Sequence, residues 1–379
     1  MEKILLACTV PALESYNIGI INAALSDRNM AFYAVVFLNG QDKRSDAELM
    51  ADYGVAMGKR NRIQFYHLSE NKVIRILSGS KYLDLVVQFA SKELIAKIHF
   101  ISQDVMLSPH LVKFKNFELY YTVHDFVAHP AKLNPLQRAK HYYFRIRKDR
   151  LLIEKINNLV TNSSSQHRAL LKHYPGKKVS WHRMPGMVTR KILNGNKEIP
   201  ELKEVEDYVL FFGRIEIYKG LASLYNLFLN RSELSGTTLV IAGKGNVYFD
   251  RNPAKEDNIV FLNRFIAEEE VAALFKKAKF LVLPYLSATQ SAISSISYHF
   301  RKPVIASLVE GLAESVDHEH TGLLYSGKEP DQLLASILRL CYDAQLREKI
   351  SKNLKDGPQM YDVLKLQEEL ALVYQNNTL

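Results

Sequence analysis

Cysteine is scarce in this chain, with only Cys8 and Cys341 among 379 residues. The two lie far apart, each within an apolar segment, so we predict two buried free thiols rather than a disulfide. A small secreted fold held by disulfides is thereby disfavoured, and a reducing compartment, the cytoplasm, is expected. The length allows two α/β domains, each large enough for a core of its own.

Long apolar runs are also missing. No stretch approaches the roughly 20 residues that a membrane-spanning helix needs. The N-terminal run 1–10 is short and has no cleavage-type end, which favours a buried first strand over a signal peptide. We therefore expect a cytoplasmic protein, for which a peripheral contact with the inner face of the cell membrane stays open.

Acidic residues are under-represented in the first half. Residues 1–187 contain 27 Lys and Arg against 15 Asp and Glu, a net charge of +12, whereas residues 188–379 have 23 and 25, a net charge of −2. A basic half suggests an anionic partner, such as a membrane surface, a nucleic acid or an acidic acceptor. No recognition motif for nucleic acid is present, so we expect no nucleic-acid binding.

The segment 138–150 interleaves cations with aromatic residues. On a helix its apolar residues would partly face the core, and this is the favoured interpretation. The alternative is an interfacial helix that docks on anionic lipid.

Strand-like and helix-like patterns alternate along the chain, which predicts an α/β fold of right-handed βαβ units with parallel sheets. Amphipathic helices are predicted between the strands, for example at 268–278 and 330–342. The predicted strands are 3–9, 32–38, 118–124, 158–161 and 179–183 in the first half, and 208–212, 238–241, 259–262, 280–283, 304–306 and 322–325 in the second.

The domain organisation is predicted from a change in composition. A polar, aperiodic stretch at 188–206 indicates a linker between a first domain, 1–187, and a second domain, 207–357. The remaining residues, 358–379, contain an amphipathic helix that needs an apolar partner. The first domain is one candidate for that partner.

Loops rich in Gly, Ser or Thr follow the predicted strands of the second half. In an open parallel sheet such loops meet at the carboxyl ends of the strands, where α/β folds bind ligands. One of them presents Arg214 and Lys219 directly after a strand. A forked guanidinium and a compact ammonium suit a diphosphate, although both could be ordinary surface cations. Gly213 would let the backbone approach the phosphates, or would simply end the strand.

The sequence resembles the GT-B glycosyltransferases, and among them the large retaining nucleotide-sugar family called group 1 or family 4. The segments that carry the resemblance are Phe212-Gly-Arg-Ile215 with Tyr218-Lys-Gly-Leu221, Ile241-Ala-Gly-Lys-Gly245, Pro303-Val-Ile-Ala-Ser307 and, in the first half, Thr122-Val-His-Asp125. The resemblance implies two facing Rossmann-like domains and a C-terminal helix that returns to the first. It also implies a nucleotide-sugar donor in the second domain and a glycan or lipid-linked glycan acceptor in the first.

The resemblance also implies roles for particular residues. The candidate catalytic residues are Arg214 and Lys219, on the diphosphate, and His124 and Asp125, which would help position the transferred sugar. The alternative for His124 and Asp125 is a core histidine followed by a helix cap. Further donor contacts are expected from loop residues of the second domain, namely Gly213, Gly243, Thr289, Gln290, Ser291 and Gly311. Thr289 could instead be only the N-cap of the following helix.

One loop departs from the family pattern. Members usually carry two glutamates eight positions apart, near the donor sugar and the ribose, and those positions hold Ala288 and Ile296 here. The loop reads Ser287-Ala-Thr-Gln-Ser-Ala292, similar to a subgroup that has Ser-Ala-Thr-Gln-Ser-Gly. We expect the sugar and ribose contacts to pass to Gln290, its neighbours and backbone amides. The family's glycine before the Pro-Val turn is Arg301, which could crowd the pocket floor.

The chain has no Asp-x-Asp motif of the kind that metal-dependent glycosyltransferases use to hold Mn²⁺ or Mg²⁺ on a diphosphate. Asp317-His-Glu-His320 contains metal-ligand residue types, but four consecutive polar residues in a loop are more typical of a solvated turn. We therefore predict that Arg214 and Lys219 bind the diphosphate without a metal or another cofactor.

The resulting prediction is a metal-independent glycosyltransferase of the hexosyltransferase type, which acts with retention in bacterial surface polysaccharide synthesis. A non-catalytic GT-B partner subunit, which stabilises or steers an active glycosyltransferase, is the alternative that the missing glutamates favour. A nucleotide-sugar epimerase on the same fold is a weaker alternative.

Overall fold

The computed structural model describes residues 2–102, 106–126, 147–288, 290–327, 329–355 and 361–375. They divide into two compact units. The first unit contains the described residues of 2–126, 147–185 and 363–375, and the second contains those of 186–362. The chain passes from the first unit to the second after Pro185, and its last helix belongs to the first unit.

In the described residues of the first unit, seven parallel strands form one sheet, in the order β3-β2-β1-β4-β5-β6-β7. The strands are β1 Lys3–Cys8, β2 Ala31–Leu38, β3 Ile63–His67, β4 Lys97–Phe100, β5 Glu118–Thr122, β6 Asn158–Thr161 and β7 Lys178–Trp181. The helices are α1 Glu14–Ser26, α2 Asp46–Asp52, α3 Lys72–Leu77, α4 Gly79–Lys92, α5 Arg147–Lys155 and α6 Ser164–His173, with 3-10 helices at Pro11–Leu13, Met57–Arg62 and Ser108–Phe114.

The central strands are apolar because both faces of a parallel sheet are covered. All eight residues of β2 are buried, and so are five of the six residues of β1. Cys8 lies within β1 and is a buried free thiol, as predicted, and Cys341 in the second unit is another. The structure adds two strands that the sequence patterns did not indicate, β3 at the sheet edge and β4 beside β1.

The C-terminal helix Val363–Tyr374 packs against α1 and β7 of the first unit. Tyr374 is fully buried, and its main-chain oxygen accepts a hydrogen bond from Lys97 Nζ at 2.8 Å. Its hydroxyl lies 2.5 Å from Nδ1 of His99. Arg183 binds the carboxylate of Glu369 with both Nη2 and Nε, at 2.6 and 3.0 Å. Polar contacts as well as apolar packing therefore hold this helix on the unit.

In the described residues of the second unit, six parallel strands have the order β10-β9-β8-β11-β12-β13. The strands are β8 Tyr208–Phe212, β9 Leu239–Ala242, β10 Ile259–Leu262, β11 Ala278–Leu283, β12 Val304–Ser307 and β13 Gly322–Tyr325. The helices are α7 Arg190–Leu193, α8 Leu221–Asn230, α9 Glu268–Lys277, α10 Ile293–His299, α11 Glu310–Ala313, α12 Pro330–Tyr342 and α13 Ala344–Lys355, with 3-10 helices at Pro200–Leu202, Ile217–Lys219, Ser232–Leu234 and Pro253–Lys255.

The strand order of this sheet changes direction at β8. Strands β9 and β10 lie on one side of β8, and β11, β12 and β13 lie on the other. In open α/β sheets the crevice for a ligand forms beyond the carboxyl ends of the strands at such a point. The loop after β8, which carries Arg214 and Lys219, lies at that position.

The predicted linker 188–206 packs into the second unit. Ile192, Ile199 and Leu202 are buried in its core, and α7 packs against α9. Thr189 Oγ1 donates a hydrogen bond to Glu268 at 2.8 Å. The apolar residues of this stretch are spaced too widely and unevenly to follow the period of a helix or a strand. For that reason the sequence predicts a linker, although the segment is packed.

Candidate functional site

The loop after β8 and the 3-10 helix Ile217–Lys219 form the centre of the candidate site. The chain turns at Gly213 with a φ of +134°. A β-carbon built on Gly213 would lie 3.0 Å from Cδ1 of Ile293 and 3.1 Å from Nζ of Lys219. Because Gly213 has no side chain, the ammonium of Lys219 can lie against the main chain at the end of the strand.

Lys219 is a buried cation without a carboxylate partner in the described part of the chain. The residue is 7% exposed, and its Nζ donates a hydrogen bond to the Tyr285 hydroxyl at 2.8 Å. The same atom lies 4.6 Å from the ring centroid of Tyr285 and 5.8 Å from that of Tyr218. Burial of an ammonium is costly, and a phenol oxygen with two ring faces offsets only part of that cost. The site therefore favours an anion supplied from outside the protein.

Arg214, the second predicted cation of this loop, has a side chain that is 73% exposed. Its Nη1 lies 2.9 Å from Oε1 of Glu216. An exposed ion pair of this kind contributes about 0–1 kcal/mol, so the guanidinium can exchange Glu216 for a ligand anion at small cost. Arg214 therefore lies on the solvent side of the loop that holds Lys219.

Two tyrosines of the site were not predicted from the sequence to be site residues. Tyr218 was named only as part of a motif, and Tyr285 was not named as a site residue. Burial, reinforced by the carboxylate of Glu216, raises the pKa of Tyr218 and keeps its phenol neutral. Tyr285 follows Pro284 just beyond β11, and its main-chain oxygen accepts a hydrogen bond from Ser307 at 2.6 Å. The sequence signal that could have identified Tyr285 is its position as an aromatic residue just beyond a buried strand.

The loop after β9 meets the loop after β8 backbone to backbone. Gly213 N donates to the oxygen of Ala242 at 3.0 Å. Gly243 has a φ of +152°, and a β-carbon there would lie 1.9 Å from the oxygen of Gly213. Any side chain at position 243 would therefore separate the two loops. Asn263 bonds both the nitrogen and the oxygen of Gly245 at 3.1 Å and so fixes the far end of this loop.

The loop before α10 carries three of the predicted donor contacts, Thr289, Gln290 and Ser291, and a fourth, Gly311, contacts it. Thr289 lies outside the described residues. Oε1 of Gln290 is buried and has no hydrogen-bond partner among the described residues. An unpaired buried acceptor costs about 1–3 kcal/mol, so this oxygen suits a hydroxyl or amide donor from a ligand. Ser291 is buried, and Gly311 N donates to the oxygen of Ala288 at 3.2 Å.

The start of α10 differs from the alternative in which Thr289 caps the helix. The helix begins at Ile293 with Ala292 as its N-cap, and no side chain forms a capping hydrogen bond there. The alternative role of Thr289 as the N-cap is therefore wrong. The contact between Ile293 and Gly213 joins the start of this helix to the loop that holds Lys219.

The two positions where the family has glutamate are apolar in packing as well as in sequence. Ile296 is buried in the core of the second unit, and Ala288 packs against that core. Neither side chain can accept a hydrogen bond from a sugar or a ribose. Arg301 has a φ of +55°, where glycine is favoured, and its side chain is exposed. That Arg301 crowds the pocket floor stays a prediction.

In the first unit, the His124–Phe126 loop is braced by Gln166. The side chain of Gln166 donates to the oxygen of His124 at 2.9 Å and accepts from Phe126 N at 2.8 Å. His124 is half-buried, and its Nε2 donates to the oxygen of Ile101 at 2.9 Å. The Tyr16 ring packs edge-on against it, with centroids 4.8 Å apart. Both His124 and the half-buried Asp125 thus lie in a loop with a fixed backbone, directly after β5.

The polar run 317–320 forms a turn whose side chains have different partners. Arg339 pairs with Glu319 at 2.5 Å, His318 Nδ1 accepts from Leu324 N at 3.0 Å, and His320 Nδ1 lies 3.2 Å from the Asn353 amide. Within the described ranges, no three His, Cys, Asp or Glu side chains are grouped as metal ligands would be.

Two predictions concern membranes. Most of the basic aromatic segment, residues 138–146, lies outside the described residues, so its two interpretations stay open. Among the helices that the structure does describe, none has the length and apolar character needed to cross a bilayer.

In its fold, and in sequence over part of its length, the chain is similar to the GT-B glycosyltransferases. The chain has the GT-B fold, with two α/β units that each carry a parallel sheet. Residues 206–343, which contain the β8 loop, the loop before α10 and Gly311, match the family described as Glycosyl transferases group 1.

Individual proteins show the same likeness. The uncharacterized glycosyltransferase MJ1607 of Methanocaldococcus jannaschii is 28% identical over 183 residues, which is 46% of this chain and 46% of that protein, so the chain matches about half the length of this relative. Sucrose-phosphate synthase of Thermosynechococcus elongatus superposes with a TM-score of 0.66 at 15% identity, over 99% of this chain and 98% of that one. HepE of Anabaena, solved in complex with UDP-glucose, superposes with a TM-score of 0.63 at 17% identity, over 98% of each chain.

Proposed function

We propose that this chain is a retaining glycosyltransferase. It transfers a hexose from a nucleotide-diphosphate sugar to a hydroxyl of a glycan or lipid-linked glycan, in the synthesis of a bacterial surface polysaccharide. The bond from the anomeric carbon to the diphosphate breaks, the nucleoside diphosphate leaves with the electron pair, and the acceptor oxygen bonds to the anomeric carbon as its proton departs.

The observation that carries this proposal is the buried ammonium of Lys219. It lies at the carboxyl end of β8, where the strand order changes direction, and it has no counter-ion in the described part of the chain. A leaving diphosphate gains negative charge as its bond breaks. A cation fixed at that point stabilises the transition state more than the ground state.

The remaining roles follow from position. Arg214 would leave Glu216 and bind the same diphosphate in a bidentate manner. Gly213 and Gly243 allow the loops to approach the phosphates closely. Oε1 of Gln290 would accept a hydrogen bond from a donor hydroxyl, in place of a family glutamate. Other donor contacts would come from loop residues around it, Thr289, Ser291 and Gly311, and His124 and Asp125 would position the sugar being transferred.

Calorimetric titration with UDP, GDP and ADP tests the donor site. We expect one of these nucleotides to bind to the wild-type protein and to bind more weakly to Lys219→Met. Lys255→Gln is the matched control, because Lys255 is an exposed lysine of the same unit that lies outside the site. For turnover, Arg214→Ala should cost on the order of 10² if the guanidinium stabilises the leaving group. No binding of any nucleotide, or equal binding by Lys219→Met, would remove the proposal.

Metal independence is part of the proposal. Lys219 and Arg214 would supply the positive charge that a divalent ion supplies in other glycosyltransferases. Turnover should therefore be the same in buffer with a chelator and in buffer with Mn²⁺. Activity that is lost in the chelator and restored by Mn²⁺ would contradict this part.

A second candidate function is a non-catalytic partner subunit of an active glycosyltransferase. The apolar packing of Ala288 and Ile296 favours it, because those two positions offer no polar contact to a sugar or ribose. Such a scaffold has no need for a nucleotide, so the same titration separates the two functions. An epimerase, the weaker alternative, would convert the nucleotide sugar with no acceptor present. The cytoplasmic location stays a prediction.

A further inference from the structure

Helix α3 has no face directed at a core. Four of its six residues are aliphatic, and none of the six is buried. These four side chains, which we call the α3 patch, are 51% to 78% exposed and are Val73, Ile74, Ile76 and Leu77. Exposed aliphatic side chains are ordinary singly, but a contiguous set of them marks an interaction surface.

The helix separates its apolar residues from its basic ones. At 3.6 residues per turn, the α3 patch covers one side of the helix, and Lys72 and Arg75 lie together on the other. The polar side of α3 is therefore cationic and its apolar side faces solvent. That is the arrangement of a helix that lies in the plane of a lipid interface.

The charge around the α3 patch is mainly positive. Residues 70–84 contain three cations, Lys72, Arg75 and Lys81, and two acidic residues, Glu70 and Asp84, of which Asp84 is paired with Lys113. None of the three forms an ion pair with another described residue. A second copy of this chain, packed symmetrically on the patch, would bring six cations together with only two exposed glutamates, one Glu70 from each copy. An anionic lipid surface matches both the apolar residues and the charge.

A second segment with an exposed aliphatic residue packs beside α4, the helix that follows α3. The 3-10 helix Ser108–Phe114 packs beside α4, and Met106 Sδ would lie 3.4 Å from a β-carbon on Gly79, the first residue of α4. This segment carries Val112, which is 74% exposed, and is followed by the exposed Lys115. This segment thus carries an exposed aliphatic residue and a nearby cation, as α3 does.

We propose that α3 docks the first unit on a membrane rich in anionic lipid, with Val73, Ile74, Ile76 and Leu77 inserted among the acyl chains and Lys72, Arg75 and Lys81 at the headgroups. The surface is distinct from the segment 138–150. It goes beyond the proposed transfer reaction, because docking needs neither a nucleotide nor a sugar. A lipid-linked acceptor lies at such a surface, so docking would bring the enzyme to that class of substrate.

Vesicle sedimentation of the full chain tests the proposal. The wild-type protein should bind vesicles of phosphatidylcholine mixed with phosphatidylglycerol and should bind pure phosphatidylcholine much more weakly. Ile74→Ser combined with Leu77→Ser should lower the partition coefficient by about tenfold, because two inserted side chains are lost. The control is Leu193→Ser combined with Val363→Ser, which changes two exposed aliphatic residues elsewhere.

A second variant tests how much the positive charge contributes to vesicle binding. Lys72→Gln, Arg75→Gln and Lys81→Gln together should weaken binding to the anionic vesicles by about 100-fold, since each cation near such a surface contributes about fivefold. Lys349→Gln, Lys352→Gln and Lys355→Gln in α13 form the matched control. Raising the salt concentration should weaken wild-type binding in the same direction.

Three results would overturn the proposal. The first is equal binding to neutral and anionic vesicles, or none. The second is wild-type binding by the α3 variants, which would assign the contact to another segment, such as 138–150. The third is a wild-type dimer that Leu77→Asp converts to a monomer, which would make a second copy the occupant. Vesicle binding is measured without nucleotide, so its failure leaves the nucleotide titration unaffected.

Discussion

Lys219 and Tyr285 meet at the carboxyl ends of two adjacent strands, β8 and β11, where the lysine ammonium donates a 2.8 Å hydrogen bond to the tyrosine hydroxyl. The bond joins residues 66 positions apart. It fixes the direction of a buried cation that has no carboxylate partner in the described residues. Tyr285 is thus a positioning residue for Lys219. Replacing it should weaken the binding of ligands that carry phosphate and leave the binding of ligands without phosphate unchanged.

Tyr285→Phe should weaken the binding of a nucleoside diphosphate by about tenfold. The ring and its contact with the ammonium are retained, but a hydrogen bond from a charged donor is lost, and such bonds contribute about 1.5–3 kcal/mol. Calorimetry should show the loss for the diphosphate and not for the nucleoside that lacks phosphate. Tyr342→Phe is the control, since this tyrosine is exposed and distant in sequence. An equal loss for both ligands would indicate a general disturbance of the fold.

Glu216→Gln should tighten the binding of the nucleoside diphosphate by about two- to fivefold. Glu216 competes with the ligand for Arg214, and an exposed pair is worth about 0–1 kcal/mol. The gain should shrink as salt is added, because exposed charges are screened.

Glu206→Gln provides the comparison for that experiment. Glu206 also forms an exposed ion pair, with Lys277 at 2.8 Å, but belongs to no predicted ligand contact. Its variant should leave nucleotide affinity unchanged. Weaker binding by Glu216→Gln would mean that Glu216 supports the site rather than competing with the ligand.

The sequence predicted the strands whose residues are apolar as well as buried. β8 to β13 are short apolar runs, and each was predicted to within one residue at its start and end, except that β11 starts two residues earlier than predicted. β4 was missed because it carries Lys97 and His99, although all four of its residues are buried. Both polar side chains are satisfied by Tyr374 of the C-terminal helix, a contact across more than 270 residues. Nothing local to β4 indicates that partner.

In the candidate site too, residues with a local sequence signal were predicted, and contacts that depend on the folded chain were not. Arg214 and Lys219 were predicted because they stand beside a glycine directly after a strand, and that arrangement is visible locally. The ion pair of Arg214 with Glu216, the hydrogen bond of Lys219 with Tyr285 and the unpaired oxygen of Gln290 depend on the folded chain. The roles of these residues in binding and transfer stay predictions.

The free energy of unfolding should fall as the pH is lowered from about 6.5 to about 4. Burial lowers the pKa of His182 to about 4, against the partial opposition of its hydrogen bond to the Arg183 backbone and the nearby Glu369. An unfolded histidine titrates near 6.5, so in this window the unfolded chain binds a proton that the native chain does not. The loss for this group is up to about 3 kcal/mol and is complete below pH ~4. Burial also lowers the pKa of His99, which acts in the same direction.

Denaturant titrations across this pH range provide the measurement. His182→Gln should show a shallower dependence than the wild-type protein, because one of the two histidines buried in the described residues no longer titrates. His67→Gln is the control, since His67 is an exposed histidine of the same unit. Parallel pH profiles for the wild-type protein and His182→Gln would show that His182 is not responsible.

Arg301→Gly should raise the free energy of unfolding by about 1 kcal/mol, which corresponds to a rise in Tm of a few degrees at most for a unit of this size. Arg301 follows α10 with a φ of +55°, a left-handed conformation that strains any residue with a β-carbon, and its main-chain nitrogen donates to the oxygen of Tyr298 at 2.9 Å. Glycine removes the strain and keeps this hydrogen bond. Arg301→Ala removes the same side chain but retains the β-carbon, so it should not raise the Tm. An equal rise in both variants would attribute the gain to loss of the charge instead of to relief of the backbone.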